Sequence, residues 1–143
     1  MFLQISRKVH LSETDATGII YFTNHIKYAC EAFEEYLIRL LANHDKTLEE
    51  GEVVLPVVDV KSSFASPVRW GDSLIISIKE LEVKRTSLRV RTEITNKGKL
   101  AAKVVITHVA IDKVTGKKRL INELKYPLHQ ESCTLVKPSA DDL

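Results

Sequence analysis

Only one segment of this chain has the apolar period of a long α-helix, and much of the remainder alternates as β-strands do. From residue 26 to residue 41, apolar residues recur at helical spacing: Ile26, Ala29, Cys30, Phe33, Leu37, Leu40 and Leu41. This spacing predicts an amphipathic helix of about five turns that is capped by Thr23 or Asn24 and stops near Asn43 and His44. A single helix with one apolar stripe has to bury that stripe against another layer, here a sheet.

Alternating apolar residues predict strands on both sides of the helix. Before it, residues 2–11 place Leu3, Ile5, Val9 and Leu11 on one face, which only Arg7 interrupts. After it, strands are predicted at residues 53–60, 74–83, 88–95 and 100–111. Residues 96–99, with the sequence Asn-Lys-Gly-Lys, predict a hairpin turn between the last two strands.

The run of residues 53–60 differs from the other predicted strands because it is almost continuously apolar. Only Pro56 and Asp59 interrupt it. Such a run is typical of a strand that is buried on both faces, and Pro56 is then expected at a bulge or an unpaired position.

The order of the elements predicts the fold class. A strand, a loop, one long helix and four or five further strands indicate an α+β fold, in which the helix packs on a curved antiparallel sheet of five to six strands. A length of 143 residues accommodates one domain, expected over residues 1–126, followed by a loosely ordered tail over residues 127–143. A domain of this size leaves considerable apolar surface for a partner subunit to cover.

Charge and motif content exclude several classes of function. The chain has 21 Lys and Arg against 19 Asp and Glu, so neither nucleic acid nor a membrane surface is expected as a partner. Cys30 and Cys133 match neither a metal site nor a disulfide scaffold, and no signal peptide or membrane span is evident, which together favour a reduced cytoplasmic location. The motifs of serine hydrolases, zinc proteases, P-loop proteins and Rossmann folds are absent from the sequence, so these classes are not expected. The five histidines are scattered rather than paired at ligand spacing, and no metal site is predicted.

Asp15 is the acidic residue in the most unusual position, in a short loop just before the helix and close to Gly18. An aspartate in such a loop commonly turns the chain or caps the helix. The alternative is catalysis, because a carboxylate beside free N–H groups at a helix start can attack a carbonyl or activate water toward it. The same N–H groups would stabilise the developing oxyanion.

Two segments of the chain resemble a known family. Residues 13–24, ETDATGIIYFTN, resemble the signature before the long helix of hotdog-fold acyl-CoA thioesterases of the 4-hydroxybenzoyl-CoA thioesterase type. Residues 64–72, FASPVRWGD, resemble a strand-turn segment of the same family. The resemblance covers about residues 3–112 and implies the hotdog fold and thioester hydrolysis without a cofactor, since coenzyme A is part of the substrate.

The resemblance also implies roles for two residues of the first segment. Asp15 would be the catalytic carboxylate, as nucleophile or general base, and the backbone N–H of Phe22 would polarise the thioester oxygen. Many bacterial relatives, including those encoded near the Tol-Pal system, carry His where this chain has Phe22. Phe22 and the later Leu55-Pro56 pair instead resemble the branch that acts on 1,4-dihydroxy-2-naphthoyl-CoA. Thr17, where Gly or Ala is common, is a second departure.

Further residues are candidates for binding the substrate, namely Gly18, Tyr21, Arg69, Lys84 and Arg85. The three cations would hold the phosphorylated nucleotide end of coenzyme A, although exposed charge is the common role of any one of them. Tyr21, like Tyr28, is equally consistent with an acyl pocket and with the core.

Other polar residues of the helix have simpler interpretations. His25 is expected to face solvent or pack at an interface more often than to act as a base. Glu31, Glu34 and Glu35 are expected to form a solvated helix face, with Glu31 as the strongest exception.

The predicted function is hydrolysis of a small acyl- or aroyl-CoA to the free acid and coenzyme A. The alternative is a non-catalytic module of the same fold that binds acyl-CoA or an acyl carrier. In the family that the chain resembles, subunits pair edge to edge with active sites between them, so a homodimer or homotetramer is expected.

Overall fold

One long helix lies across one face of an antiparallel sheet in the computed structural model, which describes residues 3–43, 52–124, 128 and 134–135. The main elements are β1 (Leu3–Lys8), α1 (Thr23–Asn43), β3 (Val57–Phe64), β4 (Ser73–Val83), β5 (Ser87–Asn96) and β6 (Lys99–Val109). The short strands are β2 (Val53–Val54), β7 (Ile111–Asp112) and β8 (Thr134–Leu135). The α+β class and the single central helix are confirmed.

The six-stranded sheet has the order β3-β6-β5-β4-β1-β8, and its neighbours are antiparallel except for β1 with β8. Strands β2 and β7 form a separate two-stranded sheet. On the covered face, alternate residues of β4 and β5 are fully buried, as the period of two requires. The helix closes this core with Tyr28, Ala29, Ala32 and Phe33.

The predicted hairpin between β5 and β6 is confirmed. Lys97 and Gly98 both have positive φ angles, 52° and 77°, as a two-residue turn of type I′ requires.

The predicted strand over residues 53–60 is wrong in its extent and in its burial. The chain breaks at Leu55-Pro56, so that Val53–Val54 belongs to the small sheet while β3 forms an edge of the large one. The Pro56 carbonyl accepts a hydrogen bond from the Val109 N–H, but Pro56 itself lies in no strand. Most of β3 is exposed, including Val57, Val58 and Val60, because an edge strand has a neighbour on one side only.

The C-terminal prediction falls mostly outside the described residues, as do Cys133, His44 and His129. Within the described part, Leu128 packs against Leu40 and Leu41, and β8 pairs with β1. None of the described helices combines the length and the apolarity that a membrane crossing requires.

Candidate active site

The segment from Thr14 to Phe22, called the Asp15 loop below, doubles back on itself before the helix begins. Its two arms are joined by a bridge between Thr14 and Ile20 and by a hydrogen bond from the Tyr21 N–H to the Glu13 carbonyl at 2.9 Å. At the tip, the Asp15 N–H donates to the Ile19 carbonyl at 2.8 Å. Gly18 has a φ of 78°, a left-handed conformation that side chains disfavour.

The Asp15 loop is fastened to the turn that precedes β4. The Ile20 N–H donates to the Val68 carbonyl at 2.8 Å, and the Trp70 N–H donates to the Gly18 carbonyl at 3.1 Å. A β-bridge between Ile19 and Arg69 lies between these two bonds. The two sequence segments that resemble thioesterases therefore form one unit, with the Arg69 backbone beside Gly18.

The Asp15 side chain is exposed and has one oxygen that is held and one that is free. Oδ1 accepts hydrogen bonds from the N–H and the hydroxyl of Thr17. No described residue donates to Oδ2. The Thr17 hydroxyl, followed by the Thr17 N–H, holds the pKa of Asp15 below its ordinary value. Asp15 is therefore an anion at neutral pH.

Phe22, the residue directly before α1, has a backbone N–H without a partner in the described part of the chain. The helix begins at Thr23. Near its start, the Tyr21 N–H donates to the Glu13 carbonyl and the Asn24 N–H donates to the Tyr21 carbonyl, whereas the Thr23 N–H has no acceptor among the described residues. For the Phe22 N–H, the described residues provide no acceptor. Among the described residues, the predicted cap bond to a side-chain oxygen of Thr23 or Asn24 is not found, and the Asn24 side-chain amide donates to the Glu13 carbonyl at 2.9 Å.

A cleft of about 370 Å³ opens beside Phe22. Its walls come from the Asp15 loop, the start of α1 and the chain after β3: Ile19, Ile20, Phe22, His25, Phe64, Ala65, Ser66, Pro67 and Val68. The Phe64 ring lies 6.4 Å from that of Phe22 and 4.8 Å from that of His25, measured between centroids. These walls suit a flat, apolar group.

Two of the predicted site residues lie next to the cleft rather than in its wall. Tyr21 is half exposed and packs on the outer side of Phe22, with ring centroids 4.9 Å apart. Asp15 is likewise not among the lining residues. The carboxylate therefore stands outside the apolar cavity, on the loop that forms part of its wall.

His25 is buried in the cleft wall, with 4% of its surface exposed. Its Nδ1 lies 3.0 Å from the Phe22 carbonyl oxygen. Burial lowers the pKa of the imidazole, and the bond to Phe22 only partly opposes this. Of the two positions expected for His25, exposure to solvent is therefore not observed.

A buried charge cluster, centred on Glu13, anchors the near end of the Asp15 loop. The Glu13 carboxylate accepts hydrogen bonds from Arg7 at 2.7 and 3.1 Å, Lys27 at 2.9 Å, the Tyr28 hydroxyl at 2.9 Å and the His10 N–H at 2.9 Å. Burial alone would raise the pKa of Glu13, but these donors lower it to about 2. Glu13 therefore stays ionised while its own carbonyl holds Tyr21 and Asn24.

Arg7 links this cluster to the helix. Its guanidinium donates to Glu31 at 2.8 Å and lies 4.7 Å from the centre of the Tyr28 ring. Tyr28 is fully buried, so it belongs to the core and not to an acyl pocket. Of the three helix glutamates expected to be solvated, Glu31 differs because it pairs with Arg7. Glu34 is exposed, and Glu35 pairs with Arg39 on the helix surface.

The sequence interpretation missed the Glu13 cluster, although one signal pointed to it. Arg7 occupies an inward position of β1, between Ile5 and Val9. A cation on the buried face of a strand requires a carboxylate partner, and Glu13 was the nearest candidate in the sequence.

Lys84 and Arg85 lie far from the Asp15 loop within one chain. Lys84 and Arg85 follow the C-terminal end of β4, whereas the turn that contacts the Asp15 loop precedes the N-terminal end of β4. The eleven residues of this strand span about 33 Å. Lys84 is 3.7 Å from Glu82, and the Arg85 carbonyl accepts from the Ile121 N–H. Their role in binding coenzyme A stays a prediction, and it requires a second subunit to bring them to the site.

The family model and the relatives that match this chain all describe thioesterases or thioester hydrolases. Residues 9–128 match the model of the Thioesterase-like superfamily. The 1,4-dihydroxy-2-naphthoyl-CoA hydrolase of Rippkaea orientalis is 30% identical over 121 residues, which cover 82% of this chain and 88% of the relative. The protein of the same name from Acaryochloris marina is 31% identical over 134 residues, covering 92% and 93%.

Solved structures show the same architecture. A 1,4-dihydroxy-2-naphthoyl-CoA thioesterase from Synechocystis superposes with a TM-score of 0.71 at 25% identity, covering 82% of this chain and 88% of that one. A DHNA-CoA thioesterase from Staphylococcus aureus gives a TM-score of 0.72 at 20% identity, covering 85% and 83%, which supports the fold alone. The predicted hotdog fold is confirmed.

Proposed function

The chain belongs to the thioesterase-like superfamily, and from this premise we propose that it hydrolyses an aromatic acyl-CoA, with 1,4-dihydroxy-2-naphthoyl-CoA as the favoured substrate. The observation that carries the proposal is the Phe22 N–H, which has no acceptor among the described residues and belongs to a residue that both ends the Asp15 loop and lines an aromatic cleft. The relatives named for this substrate cover most of the chain and support the choice of acyl group.

In the proposed complex, the acyl ring lies in the cleft and the thioester carbonyl lies at its mouth. The Phe22 N–H donates to the carbonyl oxygen and stabilises the negative charge that develops there. The dipole of the 21-residue helix α1 adds to this stabilisation, because its positive end lies at the same position.

We propose that Asp15 acts as the nucleophile through Oδ2. A carboxylate whose pKa lies below its ordinary value is a weak base, but it is fully ionised at neutral pH. Attack on the thioester carbon forms a C–O bond and breaks the C–S bond, and the coenzyme A thiolate leaves and takes a proton from water. Water then hydrolyses the mixed anhydride to the free acid and the Asp15 carboxylate.

We also propose that the working unit is at least a homodimer. The cleft opens beside Phe64, at the end of the exposed edge strand β3. A second subunit along this edge would pair the free backbone groups of β3, cover its valines and narrow the open side of the cleft.

Release of free thiol from a panel of acyl-CoAs tests the proposed function. The panel contains 1,4-dihydroxy-2-naphthoyl, benzoyl, short straight-chain and long-chain thioesters, compared by kcat/KM. We expect the highest value for the naphthoyl substrate. A module that only binds acyl-CoA would gain thermal stability from these ligands without releasing thiol, and that outcome would overturn the proposal.

A further inference from the structure

The His25 ring is fixed in one orientation by two neighbours. Its Nδ1 lies 3.0 Å from the Phe22 carbonyl oxygen, and a carbonyl only accepts, so Nδ1 carries a hydrogen. The Phe64 ring meets the imidazole edge to face at 4.8 Å. Burial lowers the pKa of His25, which keeps the ring neutral at pH 7. In this tautomer Nε2 is only a hydrogen-bond acceptor.

Nε2 of His25 has no partner among the described residues, yet it is not sealed off. Within the described part of the chain, the fully buried side-chain polar atoms without a partner are Ser62 Oγ and Asn96 Oδ1. Nε2 is not one of them, so it keeps access to solvent. His25 is otherwise buried, and the open space that it lines is the cleft.

The other walls of the cleft provide little hydrogen bonding. The lining side chains are apolar except for His25 and Ser66, and the Ser66 hydroxyl already donates to the Leu100 carbonyl at 2.8 Å. A purely apolar ligand would displace the water that hydrogen-bonds to Nε2 and would leave Nε2 without a hydrogen-bond donor. A ligand with a hydroxyl in reach of Nε2 would replace that water.

We infer that His25 determines specificity, with its Nε2 accepting a hydrogen bond from a hydroxyl of the acyl group, so that the site selects hydroxylated aromatic thioesters over their deoxy analogues. This inference rests on the proposed function and deepens it. Phe22 connects substrate recognition with catalysis. Its N–H would donate to the thioester oxygen, and its carbonyl accepts the hydrogen bond from the imidazole that recognises the acyl ring.

The test compares kcat/KM for 1,4-dihydroxy-2-naphthoyl-CoA with kcat/KM for 2-naphthoyl-CoA. The two monohydroxy analogues then identify which hydroxyl donates to Nε2. We expect the native protein to favour the dihydroxy substrate by about tenfold or more, the scale of one hydrogen bond. In His25→Leu the ratio should fall toward one. In His25→Gln, whose amide keeps a donor for the Phe22 carbonyl and an acceptor for the substrate hydroxyl, the preference for the dihydroxy substrate should be partly restored relative to His25→Leu.

His108 offers a matched control. It is also buried, with Nδ1 2.9 Å from the Leu55 carbonyl and its ring packed on Phe33, but it does not line the cleft. His108→Leu should therefore keep the preference for the dihydroxy substrate.

Two outcomes would overturn the inference while leaving the proposed function intact. One is an unchanged substrate ratio in His25→Leu. The other is an equal loss of that ratio in His108→Leu, which would attribute the effect to a loosened interior. If the native protein released no thiol from any of the four thioesters, the proposed function itself would fail, and the inference with it.

Discussion

Glu13 carries a buried negative charge directly before the Asp15 loop, and this charge has a measurable consequence. Its pKa is about 2 in the folded protein against an ordinary value of 4.5. A carboxyl whose pKa is lowered by folding stabilises the protein above its unfolded pKa, and that stability is lost as the pH falls toward the folded pKa. The ion pairs should therefore weaken between pH 4.5 and pH 2.

Glu13→Gln should lower the free energy of unfolding at pH 7 by about 3 kcal/mol, because Arg7 would keep its buried charge and lose one of its carboxylate partners. The variant should also lose the part of the pH dependence between pH 4.5 and pH 2 that Glu13 contributes. Denaturant titrations at several pH values measure both effects.

Glu82→Gln is the matched control. Glu82 is 45% exposed and lies 3.7 Å from Lys84 and Arg89, so its loss should cost less than about 1 kcal/mol. If both variants lost the same small amount of stability, the buried cluster would not anchor the loop.

At the residue scale, the sequence identified Asp15 and Phe22 as candidates because both lie within one recognisable segment. It did not identify the Glu13 cluster, because Arg7, Lys27 and Tyr28 come from two elements whose contact depends on how α1 crosses β1. For the same reason Tyr28 could not be assigned to the core from its spacing alone.

The conformation of the Asp15 loop depends on Gly18. Gly18 has a φ of 78°, and a methyl group added at its Cα would meet no neighbouring atom within 4 Å, so Gly18→Ala should add backbone strain without a clash. The expected cost is about 1–2 kcal/mol in the free energy of unfolding. Because the strain falls on the loop that carries Asp15, kcat/KM should fall by roughly tenfold or more.

Gly98→Ala separates strain from function. Gly98 has a φ of 77°, equally open surroundings and a place in the β5–β6 hairpin, and it does not line the cleft. Both variants should lose similar stability in thermal and denaturant unfolding, and only Gly18→Ala should lose activity. Equal kinetic losses would contradict a special role for the Asp15 loop.

At the scale of elements, periodicity predicted α1 and the strands β1, β4, β5 and β6, because each has one buried and one exposed face. The error came at β3. A nearly continuous apolar run does not distinguish a central strand from an edge strand, since the difference lies in the number of neighbouring strands and not in the residues themselves.

The exposed edge strand leads to a prediction for the whole molecule. Strand β3 presents Val58 at 57% and Val60 at 39% exposure on a long edge that pairs with no other described strand. We expect a dimer or larger assembly at micromolar concentration in sedimentation experiments, and Val58→Lys should weaken it by about tenfold or more.

Val114→Lys serves as the control for the added charge. Val114 is 92% exposed at the turn after β7, outside the six-stranded sheet, and its replacement should leave the assembly unchanged. A native protein that sedimented as a monomer would refute the predicted oligomer, and with it the placement of Lys84 and Arg85 at a shared site.

The central claim is that Asp15 performs thioester hydrolysis on an aromatic acyl-CoA. Its most direct test is kcat/KM for 1,4-dihydroxy-2-naphthoyl-CoA in the native protein and in Asp15→Asn, followed by release of free thiol. The carboxylate is exposed, so the variant should keep its free energy of unfolding and lose roughly a hundredfold or more in kcat/KM. Unchanged turnover in a folded Asp15→Asn protein would contradict the claim.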